Sequence, residues 1–406
     1  AGRAAVWPYE KEICFQNHIH RARFYRDVDP YFAYRFFEKL NATGEINQHR
    51  KGVGISNMSG KSLASIVFPL PPLAEQHRIV AKVDELMALC DKLEAKHASA
   101  AEAHEQLVGH WLGTIKQSQS AQEFSANWQP IAMHFDVLFT TVSSIDALKQ
   151  TLLQLAVMGK LVQQDANDEP ARELLKRIQA AKDRLIAEGK IKRDKQPAVI
   201  TDDEVPFDLP AGWEWVRFQW VLDVRDGTHD SPKDATGTDT FPLVTSKDFH
   251  SGGINFETAR RISTADHLDI SKRSHVEKFD ILFSMIGGNI GNQVMVTDDR
   301  PFSVKNVALF KYYDKDLTSP FFIKKVIENL AGNLQSNAVG GAQPFVALGV
   351  LRDLVMALPP IAEQHRIAAR VDELVILCDQ LRSRIADANQ LQIKLADGLV
   401  ESAVAA

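Results

Sequence analysis

Leu70 to Leu93 reads LPPLAEQHRIVAKVDELMALCDKL, and Leu358 to Leu381 reads LPPIAEQHRIAARVDELVILCDQL. Positions 73, 80, 82, 87, 88 and 92 differ from their partners, most of them conservatively, so 18 of 24 are identical. Chance does not produce such a match, and the two segments have one task. Pro71 and Pro359 lie 288 residues apart, far beyond a solenoid period of roughly 20–50 residues. The interval implies duplication of a whole domain together with the helix that follows it.

The repeated segment reads as a helix. Pro71-Pro72 and Pro359-Pro360 pre-set the backbone before a first turn that carries Glu75 or Glu363, where an acid suits the helix dipole. Ile79, Val83, Leu86, Cys90 and Leu93 then step as a heptad seam, continued with lapses through His97, Ala100, His104, Leu107 and Trp111. The second seam runs Ile367, Val371, Leu374, Cys378, Leu381, Ile385, Ala388, Gln392, Leu395, Leu399. Each helix is expected to run about 40 residues, roughly 60 Å, which suits a pair packed on each other as a spacer better than two core helices. Cys90 and Cys378 sit on the seams and are expected to behave as small buried hydrophobes.

Outward from the repeat, 71–117 and 359–406 are the spacer helices. Residues 118–205 read as a helical linker, with apolar spacing through Ile145, Leu148, Leu152, Leu155 and then Leu174, Leu175, Ile178, Leu185. Asp168, Pro170 and Gly189 punctuate it, and the basic run Lys190, Lys192, Arg193, Lys195 reads as a solvated helix end. From Pro206 short β-type runs take over: 213–217, 241–244, 280–284, 304–313 and 354–358, with a helix from Pro320 to Leu330. Residues 206–358 therefore form an α+β domain. Aligning Asn17 with Asn306 makes 1–70 the counterpart of only its C-terminal part, and the abrupt Ala-Gly-Arg start reads as a cut through a first such domain.

Composition narrows the class. Lys+Arg 47 against Asp+Glu 52 gives a net charge of −5, which excludes a globally basic binder but not a local basic face. A 45% hydrophobic and 24% charged composition excludes wholesale disorder. Three cysteines form no disulfide scaffold and fit a reducing, cytoplasmic compartment, and no apolar run is long enough to span a membrane.

The paired Pro-Pro-(Leu/Ile)-Ala-Glu-Gln-His-Arg-Ile helices resemble the conserved regions of type I restriction-modification specificity subunits. So do the entry Asp208-Leu209-Pro210-Ala211-Gly212-Trp213-Glu214-Trp215, the Asp280-Ile281-Leu282 strand followed by Gly287-Gly288-Asn289-Ile290-Gly291, and the Leu148 to Leu161 helix with Gly159-Lys160. The resemblance implies mixed α/β target recognition domains joined by two long antiparallel coiled-coil helices. It implies a non-catalytic reader of a bipartite double-stranded DNA target, whose helices dock modification subunits with which a restriction subunit associates. S-adenosylmethionine, ATP and Mg²⁺ would then sit on the partner subunits, with no cofactor on this chain. The duplicated Glu75, Gln76, His77, Arg78 and Glu363, Gln364, His365, Arg366 would be the docking residues. Readers on a rigid spacer suit half-sites roughly 34–36 Å apart, one turn of DNA.

Catalytic signatures fall short. Gly54 to Ser62 nearly makes a phosphate loop but has five residues between its glycines where four are needed. Gly287 to Gly291 has no acidic residue and βαβ unit to make a dinucleotide site. Neither Pro-Pro sits in the Asn/Asp-Pro-Pro-Tyr/Phe setting of adenine methyl transfer. Asp298-Asp299 reads as a turn, and His18 and His20 as ordinary strand positions that correspond to Val307 and Leu309. The alternative to a specificity subunit is a self-standing DNA methyltransferase or nuclease with a helical insert. For DNA contact the candidates are turn residues near strand ends: Arg225, Thr228, His229, Lys233, Ser246, Lys247, Ser284, Asn289, Asn292, Lys305, Asn306 and Gln343. Lys and Arg suit guanine edges or phosphates, and Asn and Gln suit adenine.

Overall fold

The computed structural model describes residues 3–16, 18–50, 58–118, 121–193, 197–250, 253–340 and 343–405. The chain divides into two compact units, Ala1–His104 and Glu105–Ala406, with the division inside the first long helix.

The first unit holds α1 (Pro30–Ala42), α2 (Gly60–Ala64) and most of α3 (Leu73–Gln117). Asp29 caps α1 by accepting the Tyr31 N–H at 3.0 Å, with Pro30 in the first turn. The apolar face of α1 (Phe36, Phe37, Leu40) packs on Ile46, Met58, Leu63 and Ile66. Residues 3–16 and 18–29 take neither helix nor strand, so the strand reading of His18 and His20 does not hold. His20 Nε2 instead lies 2.7 Å from the Met58 carbonyl. A strand needs neighbours for its backbone groups, and no described residue of this unit supplies them. Of the near-phosphate loop, 54–57 lie outside the described residues, and Ser59 merely caps α2. The seam residues Ile79, Leu86 and Leu93 are exposed. Cys90 is exposed too, which corrects its expected burial.

The second unit continues with the last turns of α3, then α4 (Ala121–Met133), α5 (Phe135–Leu138), α6 (Val142–Val157) and α7 (Ala171–Ala187). The α+β fold follows with β1 (Glu214–Arg217), α8 (Phe218–Val221), β2 (Leu222–Asp226), β3 (Thr240–Val244), β4 (Phe249–His250), β5 (Gly253–Ile254), β6 (Arg260–Ser263) and α9 (Thr264–Ser274). It closes with β7 (Ile281–Ser284), β8 (Gln293–Met295), β9 (Ser303–Val304), β10 (Val307–Tyr312), α10 (Pro320–Ser336), α11 (Leu348–Asp353), β11 (Val355–Leu358) and α12 (Ile361–Ala405). The main sheet runs β2-β10-β7-β8, all antiparallel, beside a sheet β6-β3-β9 in which β3 and β9 are parallel.

Strand β10 explains the continuous apolar run VALF. Ala308 and Phe310 enter the larger core with Phe218, Phe283 and Phe322, whereas Val307 and Leu309 enter a second core with Val244, Leu282 and Val304. A strand covered on both faces needs apolar residues at every position. α9, β2, β6 and β8, unread in the sequence, are the short edge elements around this centre.

The long helices reach 45 residues each, and the seam of α12 divides between two cores. On α12, Ile367, Ala368 and Val371 join the larger core, while Leu374, Cys378, Leu381 and Ile385 pack with Ile145, Leu148, Leu152 and Leu155 of α6. Thus α6, read as linker, fills the seam, and Lys149–Asp379 at 2.8 Å and Lys325–Asp372 at 2.6 Å flank it. Beyond Ile385 the apolar Leu391, Leu395 and Leu399 are exposed. At the end of α3, Val108, Leu112 and Ile115 are buried in the same cluster as Cys378, with Trp111 packed against it, whereas the expected Leu107 is exposed. Lys160 closes that helix by donating to the carbonyls of Lys116 at 3.0 Å and Ser118 at 2.7 Å.

Candidate nucleic-acid interface

The strand register gathers separate loops at one end of the sheet. β2 ends at Asp226 opposite Ala308, β10 starts at Val307 opposite the end of β7 at Ser284, and β3 ends at Val244 opposite Val304. The segments 226–233, 245–248, 285–292 and 305–306 therefore emerge together, and the Gly287 N–H donates to the Pro344 carbonyl at 2.8 Å, which adds the segment around Gln343.

The centre of this end is a hydrogen-bonded knot. Gly227 packs so closely that an added Cβ would lie 2.5 Å from the Val304 carbonyl oxygen. Thr228 N–H donates to Val304 O at 2.9 Å, and Asn306, in the left-handed region at φ 56°, returns its N–H to Thr228 O at 3.1 Å. His229 places Nε2 3.0 Å from Asp226 Oδ2 and Nδ1 3.2 Å from Asn306 Oδ1. Arg273, at the end of α9, also bonds Asp226. Lys305 Nζ donates to His229 O at 2.9 Å, Asp230 O at 2.6 Å and Ser231 Oγ at 2.9 Å.

Thr228, His229, Lys305 and Asn306 are thus brought together directly, and Ser246 and Lys247 lie in the turn after β3, with Lys247 exposed. Lys233, Asn289, Asn292 and Gln343 are exposed. Two candidates are corrected. Ser284 is 0% exposed, because it closes a strand buried on both faces, so its hydroxyl cannot meet DNA. Arg225 is turned inward, bonded to Asp223 at 2.6 Å and to the Arg273 carbonyl at 3.2 Å. Sequence reading missed Arg273 and also Arg260, which holds the segment after the knot through Asp234 at 2.6 Å and Pro232 O at 3.0 Å. The Ser263-x-x-Asp266 start of α9, where Ser263 caps Asp266 N–H, was the available signal for a helix ending in Lys272 and Arg273.

The repeated Glu-Gln-His-Arg quartet has a different place from the one expected. Gln364 is buried; its Oε1 accepts the Ser319 N–H at 2.9 Å and its Nε2 donates to Pro359 O at 3.0 Å. Gln76 does the same in the first unit, accepting the Asp29 N–H at 2.8 Å and donating to Pro71 O at 2.8 Å and Asp27 O at 2.9 Å. Asp29 and Ser319 are the N-caps of α1 and α10, so each glutamine latches a long helix to the preceding helix start. Glu363 is buried against Trp213 Nε1 at 2.9 Å and Gln164 Nε2 at 3.1 Å, and burial raises its carboxyl above the usual range. Arg366 pairs with Asp168 at 2.6 Å. Direct docking through Gln76, Glu363 and Gln364 is therefore corrected to internal bracing, while Glu75, His77, Arg78 and His365 are exposed.

Among the described residues no group of three or more His, Cys, Asp or Glu is placed to hold a metal ion, and no helix is long and apolar enough to cross a membrane.

The family model for the type I restriction modification DNA specificity domain matches residues 1–103 and 210–388. The chain belongs to this specificity family. Both matched stretches contain a Glu-Gln-His-Arg latch, and the second contains the whole loop knot. Among curated relatives, the specificity subunits of the type I restriction enzymes EcoAI and EcoEI of Escherichia coli are 38% identical over 342 residues and 36% over 347. Each alignment covers 83% of this chain and 58% of the relative, so the chain spans little more than half the length of these relatives. A solved structure from work on complex assembly and conformational transition of the type I restriction-modification system shares the fold, with TM-score 0.52 and 18% identity. It covers 92% of this chain and 70% of that one.

Proposed function

We propose that this chain is a non-catalytic, cytoplasmic specificity subunit that reads double-stranded DNA through the loop end of 206–358. Its long helices present docking surfaces to modification subunits, and a restriction subunit joins through that complex. The observation that carries the reading is the gathering of separate polar loops at one sheet end inside a matched specificity domain. Relatives named as specificity subunits support it, and the self-standing enzyme alternative is not favoured. S-adenosylmethionine, ATP and Mg²⁺ belong, on this reading, to the partner subunits. The exposed apolar residues past Ile385 on α12, and separately the exposed seam of α3, suit helix-to-helix docking better than the buried Gln76, Glu363 and Gln364 do.

The test is co-expression with the modification subunits of its system in cells lacking other methyltransferases, followed by mapping of methylated bases. The expected result is co-purification and methylation at one defined motif. Methyl transfer by the chain alone, or methylation without a motif, overturns the reading.

A further inference from the structure

The Lys305 ammonium has three protons, and each has an acceptor in the same turn: His229 O, Asp230 O and Ser231 Oγ. Nothing is left over for a phosphate or a guanine edge. Lys305 is itself half-buried, and it sits between β9 and β10 with its N–H given to Val244 O at 2.9 Å. The ammonium therefore fastens an exposed turn to the sheet.

The turn it fastens presents an acid. At Asp230 the backbone N–H goes to Thr228 Oγ1 at 3.1 Å and the carbonyl to Lys305. Its exposed carboxylate has no hydrogen-bond or ion-pair partner among the described residues. Next to DNA a carboxylate is repelled by phosphates; its matching partners are amino groups on base edges, cytosine N4 and adenine N6 in the major groove. The Lys305 and Arg273 cations beside the turn are taken up by its own oxygens and by Asp226.

Resting on the DNA-reading role above, we propose that Asp230 is a specificity-determining residue that accepts from an amino-bearing base edge, and that Lys305 is the positioning residue that holds it in place. The pair then works as one device. Losing the clamp and losing the carboxylate should erase preference at the same base position.

The experiment selects bound duplexes from a pool of random-sequence double-stranded DNA, with the full chain in complex with its modification subunits, at two salt concentrations. Wild type is compared with Asp230→Ala, Lys305→Met, Ser231→Ala and the Asp230→Ala/Lys305→Met double variant. Asp230→Ala, which removes the acceptor, is expected to lower the preference for one base about tenfold at a single position. Lys305→Met should lower it at that same position, the double variant no further, and Ser231→Ala by a smaller factor there. The salt dependence should be that of wild type, since no phosphate contact is lost. Uniform weakening over all sequences by Lys305→Met, with a salt slope reduced by about one, would make Lys305 a phosphate contact and overturn the proposal. Unchanged preference in Asp230→Ala overturns it as well, and that variant removes no bond of the knot, since Asp230 is tied there only by its backbone. A wild-type complex that selects no motif overturns the DNA-reading role itself, a separate outcome.

Discussion

At the scale of single residues, Gly159 shows how one position ties the helical segment 118–205 to the α+β domain. Its φ is 71°, and an added Cβ would lie 2.5 Å from Pro210 Cγ and 2.9 Å from Trp213 Cζ2. Gly159→Ala is expected to destabilise the second unit by about 2–4 kcal/mol through backbone strain and overpacking, measured by denaturant unfolding. Arg217 gives a pH-dependent case. Its buried guanidinium donates to Ala198 O, Val199 O, Asp353 O and both oxygens of Glu204, and it holds the Glu204 carboxyl down to about 2. A depressed acid adds stability above its unfolded value near 4.5, and that share is lost as pH falls through about 2. Wild type should therefore exceed Glu204→Gln in thermal stability at pH 6, with the gap closing between pH 4.5 and 2. A gap of constant size over that range would exclude this linkage.

At the scale of elements, the duplicated glutamine is the part of the repeat whose function is internal. Gln364→Ala leaves the buried Ser319 N–H and Pro359 carbonyl without their partner and is expected to lose about 1–3 kcal/mol. Amide exchange at Ser319 should accelerate, and Gln76→Ala should do the same at Asp29; exchange at wild-type rates in both would deny the latch. The heptad periodicity of α12 was legible because a seam of Ile, Val, Leu and Cys records that one face is buried. What covers it was not, because α6 offers Leu148, Leu152 and Leu155 as good a partner as another long helix would. The short strands β6 and β8 were illegible for a related reason: each is too brief to show a period, and only pairing with β3 and β7 holds it.

At the scale of the whole molecule, a net charge of −5 sets what the chain does alone. Several cations near the proposed DNA-contacting loops are already committed: Arg225 to Asp223, Arg260 to Asp234, Lys305 to its own turn. Few are left to displace counterions from DNA. The isolated chain is expected to bind duplex DNA only weakly at physiological salt. Addition of modification subunits should tighten binding at least tenfold and steepen its salt dependence, as followed by fluorescence anisotropy between roughly 50 and 200 mM salt. Tight, motif-specific binding by the chain alone would contradict this division of labour.

The sequence by itself determined that the helix is duplicated, that both copies are long and one-sided, and that 206–358 is an α+β unit, with strands read at 213–217, 241–244, 280–284, 304–313 and 354–358. Such features are periodic or duplicated, so they are written in the order of residue types. Only the tertiary structure decided which side chains face outward at the loop end of the sheet. Ser284 is buried, Arg225 is bonded to Asp223, Lys305 clamps, Arg273 joins from α9, and Gln76 and Gln364 brace the helix starts. These assignments depend on contacts between residues tens to hundreds of positions apart, set by strand register and by which hydrogen-bond acceptors fall within about 3 Å. Residue type alone carries no record of that geometry.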